Sequence, residues 1–106
     1  MLFYLQKIIA NDKSINKNAG FTTDGEYFYL HLKGHGLFKI GLGETGDQML
    51  GKVYQHKSYR VHEKVKLVYI NGMLLCRTQE ETKKAIFLLD PHTLEETKEQ
   101  PTHQKG

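Results

Sequence analysis

The clearest strand and turn signals of the chain lie in Leu67-Val68-Tyr69-Ile70-Asn71-Gly72-Met73-Leu74-Leu75. Aliphatic, β-branched and aromatic residues, which favour strands, stand on both sides of Asn71-Gly72. That dipeptide accepts the positive φ angles of a two-residue hairpin turn. The stretch therefore predicts a β-hairpin, with Val65, Leu67 and Tyr69 sharing one side of its first strand.

Further turn and strand signals extend on both sides of this hairpin. Asp24-Gly25 is a second hairpin signal in the first half of the chain. Asp90-Pro91-His92-Thr93 predicts a turn after an apolar segment in the second half. Residues 94–100 fit either a short strand or a helix. The predicted strands cover residues 1–10, 26–32, 37–40, 49–55, 64–70, 73–78 and 85–89.

The two halves have similar spacing. Gly25 and Gly72 are 47 positions apart, and Ile40 and Leu89 are 49 apart. A period of about 40 to 50 residues with several short strands is typical of a β-propeller blade, although chance similarity between ordinary hairpins is the alternative. We expect an all-β fold with antiparallel four-stranded sheets, arranged as two blade-like repeats of a partial β-propeller. The predicted units are an N-terminal strand and polar connection (1–19), two repeats (20–63 and 64–100) and a polar tail (101–106).

The second half resembles β-propeller blades of the kelch-like and related type. The resemblance rests on the stretch from Leu67 to Leu75 and on Ile86-Phe87-Leu88-Leu89-Asp90-Pro91-His92-Thr93-Leu94-Glu95. The pair Thr22-Thr23-Asp24-Gly25-Glu26-Tyr27-Phe28-Tyr29 and Gly36-Leu37-Phe38-Lys39-Ile40-Gly41 is similar to propeller segments of very large ubiquitin ligases. The chain departs from kelch repeats because it has no double glycine and no tryptophan. The resemblance implies a scaffold segment that positions protein partners beside further blades of the same parent chain.

Two blades are too few to close a propeller ring, and an isolated pair leaves sheet faces and strand edges exposed. The chain is therefore expected to be a fragment of a larger protein; the alternatives are self-association and a small closed barrel. The predicted core consists of apolar strand residues: Phe28, Leu30, Leu37, Ile40, Val68, Ile70, Leu74, Phe87 and Leu89.

Composition narrows the class of protein. The chain has 106 residues, a net charge of +3 and one cysteine, Cys76. One cysteine excludes an internal disulfide framework and favours a reducing, intracellular and thus cytoplasmic setting. No apolar run reaches the roughly 20 residues that span a bilayer, so we expect no membrane partner.

One basic segment, residues 52–66, suggests an alternative function. Tyr54 and Tyr59 are interleaved with its cations, so stacking on nucleic-acid bases is conceivable, as in a small nucleic-acid-binding β domain. A solvated loop explains the segment better, because only two arginines occur in the chain and arginine makes the forked contacts. The candidate contacts for an anionic partner are Lys52, Lys57, Arg60, Lys64 and Lys66.

No residue pattern points to an enzyme, a cofactor or a metal. Gly41-Leu42-Gly43-Glu44-Thr45-Gly46 matches G-x-G-x-x-G, but the segment after it is a poor helix, and a phosphate site needs a helix N-terminus there. His31 and His35 are four apart in a strand and a turn, where that spacing means nothing for metal binding. We expect them to be turn and surface residues and Cys76 to be a buried thiol.

Overall fold

The computed structural model describes residues 2–12, 19–41, 53–57, 61–78 and 86–97. These residues form one helix and seven strands in two antiparallel sheets, ordered β1-β2-β3-β4 and β5-β6-β7. The mainly β expectation is confirmed. The elements are α1 (Leu2–Asn11), β1 (Ala19–Thr23), β2 (Tyr27–Leu32), β3 (Gly36–Gly41), β4 (Val53–His56), β5 (Val65–Ile70), β6 (Met73–Thr78) and β7 (Ile86–Leu89).

The N-terminal segment is the helix α1, so the predicted strand over residues 1–10 is wrong. Leu5 and Ile8 are buried and pack against the first sheet, whereas Tyr4 and Ile9 are about half exposed. Residues three apart lie on one side of a helix, so this spacing gives α1 an apolar side that the sheet covers. Burial follows a helical period here because the segment lies across a sheet face and does not pair with a strand.

Both predicted hairpin turns are confirmed. Gly25 has a φ of 96°, and the amide of Asp24 donates to the carbonyl of Tyr27 across the turn, at 3.2 Å. Asn71 and Gly72 have φ angles of 50° and 78°. Positive φ at these positions matches the right-handed twist of the flanking strands, which explains the tight two-residue connections.

The second sheet has three strands and the beginning of a fourth. After β7 the chain turns at Asp90 and returns, and Glu96 forms a single antiparallel bridge with Leu89. The amide of Thr97 then donates to the carbonyl of Leu88 at 3.0 Å. The expected four-stranded sheet is thus present in the first sheet and only begun in the second.

The elements stack in the order α1, first sheet, second sheet. One apolar cluster joins α1 to the first sheet, and another joins the two sheets. The first strands of the sheets lie close together: the amide of Tyr69 donates to Thr22 Oγ1 at 3.1 Å. A Cβ on Gly20 would overlap the carbonyl oxygen of Val65, so glycine permits this close approach.

The predicted core is partly correct. Leu37, Ile40, Leu74 and Leu89 are buried, and Phe28, Leu30 and Phe87 pack against the clusters. Val68 and Ile70 are instead 46% and 49% exposed, so their assignment to the core is wrong. Side chains alternate along a strand, and β5 turns Val65 and Leu67 toward the first sheet.

Candidate functional site

A buried lysine lies at the junction of the two sheets. Lys39, on β3, is only 7% exposed, and its Nζ donates to the carbonyl oxygen of Pro91 at 2.8 Å. The same nitrogen is 4.1 Å from the ring centroid of Tyr27 and 5.9 Å from that of Tyr29. A desolvated cation over aromatic rings is stabilised by the ring quadrupole, and the bond to Pro91 connects the first sheet to the turn after β7.

Asp24 completes this cluster at the end of the β1–β2 hairpin. Its Oδ1 accepts hydrogen bonds from the amides of Tyr27, at 2.7 Å, and Glu26, at 2.8 Å. Its Oδ2 accepts the hydroxyl of Tyr29 at 2.8 Å. Burial raises the pKa of Asp24, but these hydrogen bonds and the charge of Lys39 outweigh it and leave the pKa lowered.

Tyr29 is the neutral partner in the cluster. It is 1% exposed, and burial together with the bond to Asp24 raises its pKa above the ordinary value for tyrosine. A phenol that stays protonated and a carboxylate that stays ionised do not exchange a proton near neutral pH. The cluster therefore suits a structural role at the junction better than acid–base chemistry.

An open cleft of about 570 Å³ lies where α1 meets the turn between β2 and β3. His35 Nε2 is 3.4 Å from Asp12 Oδ2 there, and each side chain is about one-third exposed. The carbonyl of His35 accepts Gln55 Nε2 at 2.7 Å, which holds the turn against β4. The lining also includes Tyr4 and Lys7.

The second sheet has an exposed apolar face, on the side away from the first sheet. Cross-strand pairs Val68–Leu75 and Ile70–Met73 lie on it, followed by the pair Leu75–Leu88. We call this surface the open face and define it by six apolar residues: Val68, Ile70, Met73, Leu75, Ile86 and Leu88. Within the described residues, none of the six belongs to either packed cluster.

Two cations stand at one end of the open face. Lys66 and Arg77 are directly opposite each other on β5 and β6, and both are exposed. Like charges in this position repel. An apolar surface with a basic end is suited to a partner that is itself apolar and carries a carboxylate.

The structure separates the basic residues that the sequence grouped. Lys57 lies beside α1, with its Nζ 6.0 Å from the ring centroid of Tyr4. Lys66 projects from the far side of the second sheet, and Lys64 is exposed just before β5. Lys52 and Arg60 lie outside the described residues. Lys57 and Lys66 therefore do not share one surface.

The remaining sequence candidates have mixed outcomes. Cys76 is fully buried, as predicted. His31 is also fully buried, so its assignment to the surface is wrong; its alternation with Tyr29 along β2 was the signal that could have shown this.

Most of the glycine-rich segment after Gly41 lies outside the described residues. Among the residues that the structure covers, no three His, Cys, Asp or Glu side chains are placed to hold a metal.

Sequence reasoning missed both Lys39 and the open face. Lys39 lies in a short strand, and nothing in its neighbours indicates that another sheet covers it. The open face had a signal: the hairpin from Leu67 to Leu75 is apolar on both sides, a pattern of strands covered on both faces.

No protein-family model, curated protein or solved structure matches the chain. In the part of the chain that the structure describes, no helix has the length and apolar character to cross a membrane.

Proposed function

We propose that the chain is a non-catalytic protein-interaction module, made of two blade-like sheets of a partial β-propeller. Its task is to hold partners against its exposed sheet surface. The observation that carries the proposal is that both sheets turn the same side toward the element that precedes them in the chain.

The hairpin turns give the register for comparing the sheets. Asp24 and Tyr27 flank the first turn, and Ile70 and Met73 flank the second. Both flanking pairs are separated by 46 positions, so each residue of β2 has a counterpart 46 positions later in β6. The strand pairing extends this match to the third strands, where Phe38 corresponds to Phe87.

Matched residues face the same way along the stack. Phe28 and Leu30 face α1, and their counterparts Leu74 and Cys76 face the first sheet. Each sheet thus turns the same side toward the element that precedes it. Adjacent propeller blades are stacked in this serial manner, whereas two sheets related by a twofold axis would turn matched sides toward each other.

The candidate reactive groups support binding better than catalysis. Cys76 is inaccessible in the junction between the sheets. The pair of His35 and Asp12 lies in an open cleft, on the opposite side of the first sheet from that thiol. A nucleophile and its base need to be within hydrogen-bond reach, and these groups are not.

The wider proposal concerns the parent protein. The resemblance of the two hairpin regions to propeller segments suggests a larger intracellular scaffold, of the ubiquitin-ligase type, in which this segment positions other proteins. The buried thiol of Cys76, the single cysteine of the chain, is compatible with a reducing compartment.

Differential capture tests the interaction function. The immobilised wild-type chain and the variants Ile70→Lys and Tyr54→Lys are incubated with a lysate of the source organism, and bound proteins are quantified by mass spectrometry. Ile70 and Tyr54 are both about half exposed, but only Ile70 is on the open face. We expect proteins that bind the wild type and Tyr54→Lys but are lost from Ile70→Lys. Identical sets from all three chains would contradict the proposal.

A further inference from the structure

We propose that the open face is the docking site for a further antiparallel sheet of the same kind, whose contact surface is aliphatic and carries a carboxylate. This inference rests on the proposed function and names the partner class of its exposed surface.

The matching side of the first sheet is already covered. Tyr29 and Leu37 are the counterparts of Leu75 and Ile86, and they are 1% and 0% exposed beneath the second sheet. Leu75 and Ile86 have no such cover among the described residues. Continuing the stack by one sheet would bury them as Tyr29 and Leu37 are buried.

The open face is more apolar than the matching side of the first sheet. Lys39 and Asp24, which carry charge in the first junction, have the apolar counterparts Leu88 and Ile70. Val68 and Ile70 are about half exposed and the other four residues of the open face are partly exposed, so apolar side chains on three adjacent strands form a contiguous surface, which in soluble proteins marks an interaction site. A pleated face of alternating aliphatic residues is complementary to another such face.

The basic end of the open face differs in charge from the matching end of the first sheet. Lys66 takes the position of Gly20, where the absence of a side chain lets β5 approach β1 closely. Arg77 takes the position of His31. The incoming sheet therefore meets two cations where the second sheet met a glycine and an imidazole. A carboxylate at that point would relieve the repulsion between Lys66 and Arg77.

A second copy of this chain is the weaker candidate for the occupant. The helix α1 packs on the other outer side of the stack, where Phe21 is left 63% exposed, so the apolar surface of three adjacent strands that a copy offers is its own open face. That face brings two more cations, Lys66 and Arg77, and its apolar residues bring no carboxylate. A symmetric contact would leave the basic ends unpaired.

A tandem chain tests the proposal. Residues 61–97 are appended after Gly106 of the full chain, so that residues 98–106 form the linker. The buried side of the appended sheet, including Val65 and Leu67, can then dock on the open face of the original. Ile70→Cys in the original part reports cover through its rate of maleimide labelling. Cys76 of the original part is fully buried, and Cys76→Ser in the appended copy removes the second thiol. Tyr54→Cys, about half exposed on β4, is the control.

We expect the labelling rate at position 70 to fall by at least about tenfold in the tandem chain, because a short linker holds the copy at millimolar effective concentration. The rate at position 54 should not change. An unchanged rate at position 70 would overturn the proposal, and this includes the case in which the appended copy stays unfolded. Protection of the single chain that increases with its concentration, with a dimer in sedimentation, would assign the face to a second copy instead.

A second pair of tandem chains tests the carboxylate. In the first junction Gly20 lies against Val65, whose cross-strand partner is Thr78. Thr78→Glu in the appended copy therefore places a carboxylate near Lys66 and Arg77, and Thr78→Lys is its matched control. We expect stronger, salt-sensitive protection with Glu and weaker protection with Lys. Equal protection by both would reject the electrostatic part.

The labelling experiment on the tandem chain and the capture experiment can give a negative result independently of each other. Protection without any captured protein would retain the sheet-docking inference and remove the interaction function. Captured proteins that depend on Ile70, without protection in the tandem chain, would retain the function and reject a sheet as the occupant.

Discussion

The ammonium nitrogen of Lys39 lies 2.8 Å from the carbonyl oxygen of Pro91, so β3 of the first sheet is hydrogen-bonded to the turn that follows β7 of the second. Most other contacts in this junction are apolar, and apolar contacts do not define the relative orientation of two sheets. A buried polar contact restricts how the two sheets can be positioned, because moving them apart leaves a cation without a partner. The bond from the amide of Tyr69 to Thr22 Oγ1 is a second polar contact between the sheets. The Asp-Pro-x-Thr turn thus has a structural role at the junction.

Lys39→Met should lower the free energy of unfolding by about 1–3 kcal/mol, from the loss of one charge-assisted hydrogen bond and the contact with the Tyr27 ring. Methionine keeps the length of the side chain and avoids a large cavity. Urea denaturation measures the change, with Lys33→Met, at an exposed lysine, as control. Equal stability of the two variants would show that the buried cation makes no net contribution to the free energy of unfolding.

Asp24→Asn should change how stability depends on acid pH. The pKa of Asp24 is lower in the folded chain than its ordinary value, so its ionised form stabilises the fold above about pH 4. That contribution is lost as the pH falls through the lowered pKa. Unfolding free energies between pH 6 and pH 2 should therefore fall more steeply for the wild type than for Asp24→Asn. Parallel curves would contradict this, and Glu26→Gln, at an exposed carboxylate, is the control.

Local turn chemistry was the part of the fold that the sequence could predict. Asn71 and Gly72 determine their hairpin through two positive φ angles and Gly25 its hairpin through one, and no distant contact is needed. The choice of the buried side of β5 depends on packing between sheets, and both of its sides are apolar. Predicting that Val68 and Ile70 face inward failed for this reason. The burial of Lys39 likewise depends on Pro91, which is 52 positions away.

Alanine substitutions on β5 separate its two sides. Leu67 is 5% exposed in the junction, whereas its neighbour Val68 is 46% exposed. Leu67→Ala should cost about 2–5 kcal/mol of unfolding free energy through lost burial and a cavity. Val68→Ala should cost less than about 1 kcal/mol, because its side chain keeps much of its contact with water. Thermal or urea unfolding checks both, and equal losses would mean that the open face is buried in solution.

Gly20→Ala should destabilise the contact between the first strands of the sheets. The new Cβ would meet the backbone of Val65, which has no rotamer to adjust, so we expect a loss of about 1–3 kcal/mol or more. Gly25→Ala is the comparison variant. Alanine is strained at its φ of 96°, but no atom lies within 4 Å of the added Cβ, so this variant measures backbone strain without a steric overlap. Circular dichroism on urea titration measures both variants. A Gly20→Ala chain as stable as the wild type would show that β1 and β5 do not touch.

Binding to a single-stranded oligonucleotide tests the nucleic-acid alternative. Each neutralised phosphate contributes about −0.7 to the slope of log Kobs against log salt for single strands. Lys57 and Lys66 lie on different sides of the stack, so one strand contacts few of the cations at once. We therefore expect weak binding with a shallow slope, and a similar small loss from Lys57→Gln and from the control Lys33→Gln. A steep slope that disappears when Lys57 and Arg60 are both neutralised would instead assign the basic segment to nucleic-acid binding, because only a cluster of cations on one surface releases that many counterions together.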